Sequence, residues 1–549
     1  MSSIPIDPLT GPPFALEGRV VTMDVCSSIL DRGVIYVNAG RIISVQSSSS
    51  PPPPGYDDVP IIRTGGTIYP GLIELHNHLS YNILQQWDVP KRYTNRDQWS
   101  GGKLAYRKLI SGPMGVLGRI PYYVPAIVRY VECKCLLGGV TTSQGISLYS
   151  NRGINRYYHG IVRNVEETND VNLPEAKTKI SDVDAEDANK FLARLQRSSC
   201  LLLHLAEGTD EKSHKHFEAL HLSNSDWAIT PALAGIHSLA LKPDDYQTLS
   251  EHGGSIIWSP LSNLMLYGET VEINSAKACG LVFGIGSDWS PTGSKNLLGE
   301  LKVARLISEA QGNVFTDKEL LAMVTCNASK ILKWEQELGS IESNKRADLL
   351  VISGRSGDPY GKFLESHETG IILVIINGVP RYGRESLMKK FDFKIERCEY
   401  LKVGHAKRLL NLVQETSDPV VGALTLNEAR GRLRKGLRKL PDLAFKLEHP
   451  SPETLRADAA FIETHWFLTL EHDDPPGLAL RPHLPFGKQS MKTAHLPTEV
   501  EAASIPLSEL LEPLNLDRLT VADDKSFLDR LLRQPNLPDY IKDRLYDLY

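Results

Sequence analysis

The sequence of 549 residues has no hydrophobic run long enough to cross a membrane. Its longest aliphatic stretch, 371–376, is far shorter than the roughly 20 residues that a membrane-spanning helix needs. The first residues (MSSIPID) also lack the basic and apolar regions of a secretory signal peptide. We therefore expect a protein that neither spans nor binds a membrane and that stays in the cytoplasm.

Cysteine and excess charge are also scarce. The chain has 7 cysteines, an odd and scattered number that does not predict a disulfide framework. Cys133 and Cys135 have no second pair nearby, and we interpret them as core thiols. The 61 Lys and Arg nearly balance the 66 Asp and Glu, so nothing favours nucleic acid as a partner. A soluble globular protein is expected, and a homo-oligomer is left open.

The pattern of apolar residues divides the chain into four parts. Strand-rich segments at 1–66 and 335–390 flank a middle part, 67–334, in which short apolar strands alternate with amphipathic helices. The clear strands of the middle part are 72–76, 139–143, 160–165, 201–204, 228–233, 255–258 and 281–286, with a weaker one at 176–180. Such alternation is typical of an α/β fold with a parallel sheet, and seven or eight units predict a (β/α)8 TIM-like barrel.

The fourth part, 391–549, is a C-terminal extension in which we find no constellation of functional residues. Its clearest element is a helix at 425–440, where Thr425 and Glu428 form a capping box. The apolar face of that helix consists of Leu426, Ala429, Leu433, Leu437 and Leu440. Its basic residues are better explained by a solvated face than by an anionic partner, because acidic stretches flank it.

Two histidines follow the first strand of the middle part. His76 and His78 lie two residues apart, and residues two apart on a strand point to the same face. Both imidazoles can therefore reach one cation at the C-terminal end of the strand. A His-x-His pair alone is better explained as chance polar residues, so the interpretation depends on the residues downstream.

Further polar residues come directly after later strands. His204 ends one strand, His237 lies just past the sixth, and Asp288 follows the last. In a barrel the C-terminal ends of the strands converge on one mouth, so these side chains are expected to meet. Histidines with one carboxylate predict a site for one divalent metal, Zn²⁺ in the first place and Fe²⁺ as the alternative.

Each of these residues also has a simpler explanation. His237 fits a core histidine, Asp288 fits the N-cap of the next helix, and Glu207, three residues after His204, fits a carboxylate at a helix start. Polar residues suited to metal binding nevertheless follow four strands in order, and this agreement favours the metal site over chance.

Six short motifs occur in a characteristic order over about residues 15–385. They are 70–78 (PGLIELHNH), 139–142 (GVTT), 204–207 (HLAE), 259–264 (SPLSNL), 286–288 (GSD) and 339–342 (GSIE) with 347–350 (ADLL). With these motifs the chain resembles the amidohydrolase superfamily, in particular the branch with guanine deaminase, cytosine-deaminase-like enzymes and triazine chlorohydrolases.

The resemblance implies a metal-dependent hydrolase of non-peptide C–N bonds in a small cyclic or aromatic molecule, as a deaminase or a cyclic amidase. It implies one metal held by four ligands: His76, His78, His204 and Asp288. Three residues would be catalytic: His237 would bind the water or polarise the substrate, Glu207 would shuttle a proton, and Asp288 would also accept the proton of the water.

The resemblance also implies that 1–66 and 335–390 together build a β-sandwich beside the barrel. Two features depart from it. The binuclear branch uses a carboxylated lysine on the fourth strand, where Lys177 and Lys179 lie, so a two-metal site stays open. The extension, 391–549, has no counterpart in the family core.

A catalytically silent barrel that binds partners or acts as a scaffold through this extension is the alternative hypothesis, although every catalytic position holds a competent residue type.

Aromatic and basic residues surround the predicted metal ligands along the chain. Trp87, Arg92 and Trp99 lie in the loop after the first strand, and Trp289 follows Asp288. Aromatic faces stack on planar rings, and Arg pairs with carboxylates. We predict that these four residues contact a planar or anionic small-molecule substrate, while an ordinary surface-loop role explains them equally well.

Overall fold

The computed structural model describes residues 11–183, 187–223, 226–414, 418–450, 464–470 and 505–548. In this part of the chain the strands are β1 Phe14–Val21, β2 Ile29–Asn38, β3 Arg41–Ser47, β4 Ile61–Pro70, β5 Leu72–Glu74, β6 Val140–Ser143, β7 Ser147–Ser150, β8 Asn155–Tyr157, β9 Arg163–Asn164, β10 Ala176–Lys179, β11 Cys200–Leu205, β12 Leu233–His237, β13 Ser255–Trp258, β14 Val282–Ile285, β15 Leu349–Ser353, β16 Ile371–Ile376, β17 Val379–Gly383, β18 Glu399–Val403, β19 Ala406–Leu410 and β20 Trp466–Leu468.

The helices of the same residues are α1 Leu104–Tyr106, α2 Gly112–Gly118, α3 Val124–Leu137, α4 Ala188–Leu195, α5 Glu211–Glu218, α6 Pro243–Glu251, α7 Pro260–Tyr267, α8 Ile273–Ala278, α9 Leu297–Ala310, α10 Asp317–Met323, α11 Cys326–Leu332, α12 Pro359–Leu364, α13 Glu385–Met388, α14 Leu426–Arg438, α15 Leu440–Glu448, α16 Leu507–Leu510, α17 Ser526–Arg533 and α18 Asp539–Leu548. A π-helical turn, Arg107–Ser111, joins α1 to α2. None of these helices combines the length and the apolar character that a membrane span requires.

Eight strands of the middle part form two parallel sheets, β5-β6-β9 and β10-β11-β12-β13-β14. The other two, β7 and β8, pair antiparallel with each other, and β7 also pairs antiparallel with β20 of the extension. Backbone hydrogen bonds link the two parallel sheets at both seams. Ala176 N donates to Val165 O over 2.8 Å, and Asp288 N donates to His76 O over 3.0 Å. The sheets are therefore neighbours at both edges, although they do not form one closed ladder. The weak fourth strand predicted at 176–180 is confirmed as β10.

The sixth strand lies further along the chain than predicted. The prediction of 228–233 is wrong, because β12 runs from Leu233 to His237. Pro231 has no N–H for a ladder, and Leu233 N closes a turn onto Thr230 O over 2.9 Å before pairing begins. Leu233 then pairs with Leu201 of β11. His237 is consequently the last residue of its strand.

The two strand-rich flanks join with β18 and β19 of the C-terminal extension in one nine-stranded sheet of order β18-β19-β17-β16-β15-β4-β1-β2-β3. β15 of the second flank pairs antiparallel with β4 of the first, and β4 pairs parallel with β1. Leu16, Ile35, Ile68, Val351 and Leu373 are buried together on this sheet. Segments that are distant in the sequence thus share one core.

The C-terminal part packs against the helices of the middle part. The predicted capping box of α14 is confirmed, since the Thr425 hydroxyl accepts from Glu428 N and the Glu428 carboxylate accepts from Thr425 N over 2.9 Å. α14 lies on α3, and α18 lies on α9. The extension therefore covers helices that would otherwise face solvent.

Candidate metal centre

Five side chains from four strand ends meet at one place. His76 and His78 follow β5, His204 lies in β11, His237 ends β12 and Asp288 follows β14. The ring centroids of His76 lie 4.7 Å from those of both His78 and His204, and 5.2 Å from that of His237. The convergence predicted from the strand ends is therefore present.

The backbone leaves its strands abruptly at two of these positions. His237 and Asp288 have φ angles of 66° and 61°, in the left-handed region that non-glycine residues rarely adopt. Neighbouring backbone groups hold Asp288 there, since His78 N donates to Asp288 O over 2.6 Å. Such strain is characteristic of functional sites, where it directs a side chain that a regular strand would point elsewhere.

The spacing of the donor atoms fits a divalent metal. Asp288 Oδ1 lies 3.2 Å from His76 Nε2 and 3.3 Å from His78 Nε2. Ligand atoms of a tetrahedral zinc site, each about 2.0 Å from the metal, lie roughly 3.3 Å from one another. Donor atoms of His76, His204 and His237 likewise lie within 4.8 Å of one another.

Unpartnered nitrogen atoms point to the same conclusion. His76 Nε2 and His204 Nδ1 are buried and have no hydrogen-bond partner among the described residues. A buried polar atom without a partner is costly, and a bound cation removes that cost. Burial lowers the pKa of His76, and burial followed by the neighbouring His76 lowers that of His204 well below its usual range. Both imidazoles are thus neutral, which is the form that binds metal.

Asp288 is held in its ionised form. Burial alone would raise the pKa of this carboxyl, but attraction to His76 and His78 in their protonated forms outweighs burial and brings it well below the usual range. A buried carboxylate among neutral imidazoles supplies the negative charge that a divalent cation needs. The residues present therefore fit one metal ion.

Amide oxygens orient two of the imidazoles. His76 Nδ1 lies 3.1 Å from Gln144 Oε1, and His237 Nδ1 lies 2.8 Å from Asn263 Oδ1. Because an amide oxygen only accepts, each ring donates from Nδ1 and keeps the lone pair of Nε2 for the centre. The sequence prediction missed both amides. Gln144 directly follows β6 and Asn263 lies in the motif 259–264, so the strand-end signal could have found the first and the motif the second.

Glu207 lies beside this centre without entering it. The Tyr267 hydroxyl donates to Glu207 Oε1 over 2.8 Å, while Glu207 Oε2 lies 3.9 Å from His237 Nε2 and 3.7 Å from Arg96 Nη1. Burial first, and then the Glu207 carboxylate, raises the pKa of Tyr267 well above its usual value, so this phenol stays protonated and donates. Glu207 is thus positioned at the edge of the centre as a proton carrier would be.

A cavity of about 310 Å³, including the part open to solvent, lies over these residues. Its lining consists of His78, Arg96, Trp99, Ile180, His204, Glu207, His237, Asp288 and Trp289. Trp99 and Trp289, two of the four predicted substrate residues, are in this lining, and their ring centroids lie 6.0 Å apart.

The structure does not bring Trp87 and Arg92 to the cavity. Trp87 lies behind Trp99, with ring centroids 6.4 Å apart. Arg92 is half exposed and pairs with Glu269 at the surface. The reason is the path of the loop after β5, which turns Arg96 inward in place of Arg92.

Arg96 is a lining residue that the prediction did not select from the same loop. It donates from Nη1 to Ile180 O over 2.9 Å and from Nη2 to Asp182 Oδ2 over 3.0 Å. Burial lowers the pKa of Arg96, but Glu207 and Asp182 outweigh burial and raise it. The guanidinium is therefore already occupied by two carboxylates of the protein.

The lysines considered for a second metal do not line the cavity. Lys177 is exposed and pairs with Glu175 over 3.1 Å, and Lys179 donates to Ser181 Oγ over 2.5 Å. Thr178 accepts a hydrogen bond from Gln144 Nε2 over 3.2 Å, so it is Thr178 that faces the centre from β10. This arrangement favours a single metal.

Comparisons with known proteins agree with this geometry. The sequence model of the Amidohydrolase family matches residues 67–380. A 5-methylthioadenosine/S-adenosylhomocysteine deaminase from Symbiobacterium thermophilum is 22% identical over 382 residues, which cover 61% of this chain and 84% of the relative.

Two solved structures share the fold. The zinc-bound adenosine deaminase of Xanthomonas campestris has a TM-score of 0.55 at 14% identity, covering 78% of this chain and 99% of that one. The zinc complex of atrazine chlorohydrolase from Arthrobacter aurescens has a TM-score of 0.52 at 18% identity, covering 67% and 94%.

Proposed function

Because the chain belongs to the amidohydrolase family, we propose that it hydrolyses a non-peptide C–N bond of a small cyclic or aromatic molecule with one bound divalent metal. The observation that carries the proposal is a pair of donor groups that share His76: His76, His78 and Asp288 in one, and His76, His204 and His237 in the other. Within each group the donor atoms lie within 4.8 Å of one another. The deaminase activity of the relative from Symbiobacterium thermophilum supports the reaction class.

The metal ligands proposed are His76, His78, His204 and Asp288, with Zn²⁺ as the preferred ion. Bound there, the cation would supply a water whose pKa falls from near 16 toward about 7. Asp288 would accept the proton of that water. His237 donates from Nδ1 to Asn263, so its Nε2 would accept a hydrogen bond from the attacking water.

Glu207 completes the proposed mechanism as the proton shuttle. It carries a proton to a ring nitrogen of the substrate or to the leaving amine, because its carboxylate lines the cavity and can reach a bound substrate by a hydrogen bond. Tyr267 holds one carboxylate oxygen, which leaves the other, Oε2, directed toward His237 and Arg96. The carboxylate therefore keeps one oxygen available for transfer.

The lining of the cavity favours a planar substrate. Trp99 and Trp289 offer apolar faces, on which a heteroaromatic ring can stack. Arg96 is engaged by Glu207 and Asp182, so it has no free fork for an anionic group. We therefore propose a neutral planar ring, with Trp99 and Trp289 as its contacts.

The finer architecture is part of the proposal. We propose that the eight parallel strands β5, β6 and β9 to β14 close into a (β/α)8 barrel, because hydrogen bonds span both seams between the two sheets. The nine-stranded sheet would be the sandwich beside it, built from 1–66 and 335–390 together with β18 and β19 of the extension.

The test combines metal analysis with a substrate screen. Purified protein, produced with metal supplied, is expected to contain about one Zn or Fe per chain. Purines, pyrimidines, triazines and cyclic amides are then assayed for ammonia release, and chlorinated triazines also for chloride. A metal content below a tenth per chain would overturn the mononuclear proposal, and a content near two would favour the binuclear form. The His204→Ala variant is the matched control, because it should lose metal and activity together.

A further inference from the structure

A carboxylate of the C-terminal extension is buried between two lysines of the middle part. Asp517 lies outside residues 67–380 that match the family, and its side chain is 0% exposed. Its Oδ2 lies 2.7 Å from Lys134 Nζ, and its Oδ1 lies 2.5 Å from Lys295 Nζ. Tyr130 also donates to the carbonyl oxygen of Asp517. The extension is thus inserted between α3 and the start of α9.

Lys134 uses every proton of its ammonium group. Besides Asp517, it donates to Asn82 O over 3.1 Å and to Ser290 Oγ over 2.6 Å. An ammonium group has three donors, so these acceptors account for all of them. Asn82 lies in the loop after β5, and Ser290 lies two residues after Asp288. Lys134 therefore joins two of the three segments that carry proposed metal ligands, those of His76 and His78 and of Asp288.

Side-chain hydrogen bonds continue from Lys134 toward the centre. Asn82 Oδ1 accepts from Ser290 N over 2.7 Å, and Asn82 Nδ2 donates to Asn77 Oδ1 over 2.8 Å. Asn77 stands between His76 and His78, and it donates from Nδ2 to Ser287 Oγ over 3.1 Å. A continuous polar network thus leads from Asp517 to both sides of the metal centre.

The position of Lys134 depends on its counter-charge. Two buried ammonium groups, those of Lys134 and Lys295, face two carboxylates, those of Asp517 and Asp524. Asp524 contacts Lys295 at 3.0 Å and also pairs with Arg530, so among the described residues Asp517 is the carboxylate that forms a salt bridge with Lys134. A buried charge that loses its partner is strongly unfavourable and moves toward water.

We propose that Asp517 is a positioning residue of the metal centre, which acts by holding Lys134 between the two ligand-bearing loops. The extension is then part of the enzyme's active-site support. This inference rests on the proposed metal site, but its test measures Zn²⁺ affinity and needs no substrate. Groups that hydrogen-bond metal ligands directly change metal affinity by roughly 10- to 100-fold, and because Asp517 acts through Lys134 we expect the lower end of that range.

The experiment compares full-length variants by competition for Zn²⁺ with a chromophoric chelator, after circular dichroism has verified folding. Asp517→Asn keeps the shape of the side chain and removes its charge, and it should weaken Zn²⁺ binding roughly 10-fold. Asp524→Asn is the matched control, because it removes a carboxylate from the same segment and the same Lys295. Its Zn²⁺ affinity should stay close to that of the wild type.

A second variant tests the inference in case Asp517→Asn does not fold. The double change Lys134→Met with Asp517→Asn removes one positive and one negative charge, so no buried charge is left without a partner. It still deletes the hydrogen bonds to Asn82 and Ser290, and it should weaken Zn²⁺ binding as the single variant does. Wild-type affinity in the folded double variant, or equal weakening by Asp524→Asn, would overturn the inference. A wild-type protein without Zn²⁺ would overturn the proposed function itself.

Discussion

Tyr267 joins the wall of the cavity to the proposed proton shuttle. Its hydroxyl donates to Glu207 Oε1 over 2.8 Å and accepts from Trp99 Nε1 over 3.0 Å. The ring expected to contact the substrate and the carboxylate expected to move a proton are thus two hydrogen bonds apart. A shift of the Trp99 side chain is therefore expected to move Glu207, and a shift of Glu207 to move Trp99.

The first prediction separates a proton shuttle from a ligand. Glu207→Gln should leave the metal content near that of the wild type, because Glu207 is not a proposed ligand. The same change should lower kcat by roughly 10² to 10⁴-fold, the usual contribution of a positioned general acid/base. Metal analysis and steady-state kinetics on the substrate found by the screen check both. Full activity in Glu207→Gln would refute the mechanism and leave the fold intact.

The second prediction concerns Tyr267. Tyr267→Phe removes the donor to Glu207 and keeps the ring, so metal content should not change. A hydrogen bond to a charged group is worth about 1.5–3 kcal/mol, which corresponds to a loss in kcat/KM of roughly 10- to 100-fold if the bond is maintained in the transition state. Tyr246→Phe is the control, since Tyr246 is equally buried but bonds Glu272 N away from the cavity. Equal losses in the two variants would contradict the assignment.

The third prediction tests the close approach of two strand ends. A Cβ at Gly286 would come within 2.6 Å of His76 N and nearer still to the carbonyl oxygen of His76. Gly286→Ala should therefore destabilise the protein by about 1–3 kcal/mol and weaken Zn²⁺ binding, as overpacking forces the backbone apart. Gly115→Ala serves as the control, because open space surrounds that position in α2 and alanine favours a helix. Thermal denaturation and chelator competition give the two readouts, and an unperturbed Gly286→Ala would argue against the described register.

The fourth prediction concerns removal of the extension. A chain ending after residue 395 lacks β18 and β19 of the nine-stranded sheet and the helices that pack on α3 and α9, so apolar surface that these elements cover becomes exposed. Exposure of one buried aliphatic or aromatic side chain costs about 1.5–3 kcal/mol, so a few such losses reach the 5–15 kcal/mol by which domains are typically stable. The truncated protein should be insoluble or unfolded, as judged by soluble yield and circular dichroism. A folded, zinc-binding truncation would show instead that the extension is a separable module, as the scaffold hypothesis requires.

Much of the metal centre could be predicted from the sequence. His76, His78, His204 and Asp288 each come at or directly after a short apolar strand, and parallel strands deliver their C-terminal ends to one edge. The helix at 425–440 was equally accessible, since a capping box and an apolar face are local signals. Each of these inferences depends only on residues that are close to one another in the sequence.

The positions of side chains that depend on the path of a loop could not be predicted from the sequence in the same way. Trp87, Arg92, Arg96 and Trp99 share one loop, and composition does not indicate which of them turns toward the cavity. The sixth strand was misplaced for a related reason, because an apolar run indicates a buried segment but not the residue at which pairing with β11 begins.

The sequence by itself thus determined the family motifs, the residue types of the centre and the order in which strands present them. Only the tertiary structure decided their partners: Gln144 for His76, Asn263 for His237, Tyr267 for Glu207 and Asp517 for Lys134. Hydrogen bonds and ion pairs act over about 3 Å, whereas these partners are separated by tens to hundreds of residues along the chain. No local pattern records such a contact, because it exists only once packing has brought the two side chains together.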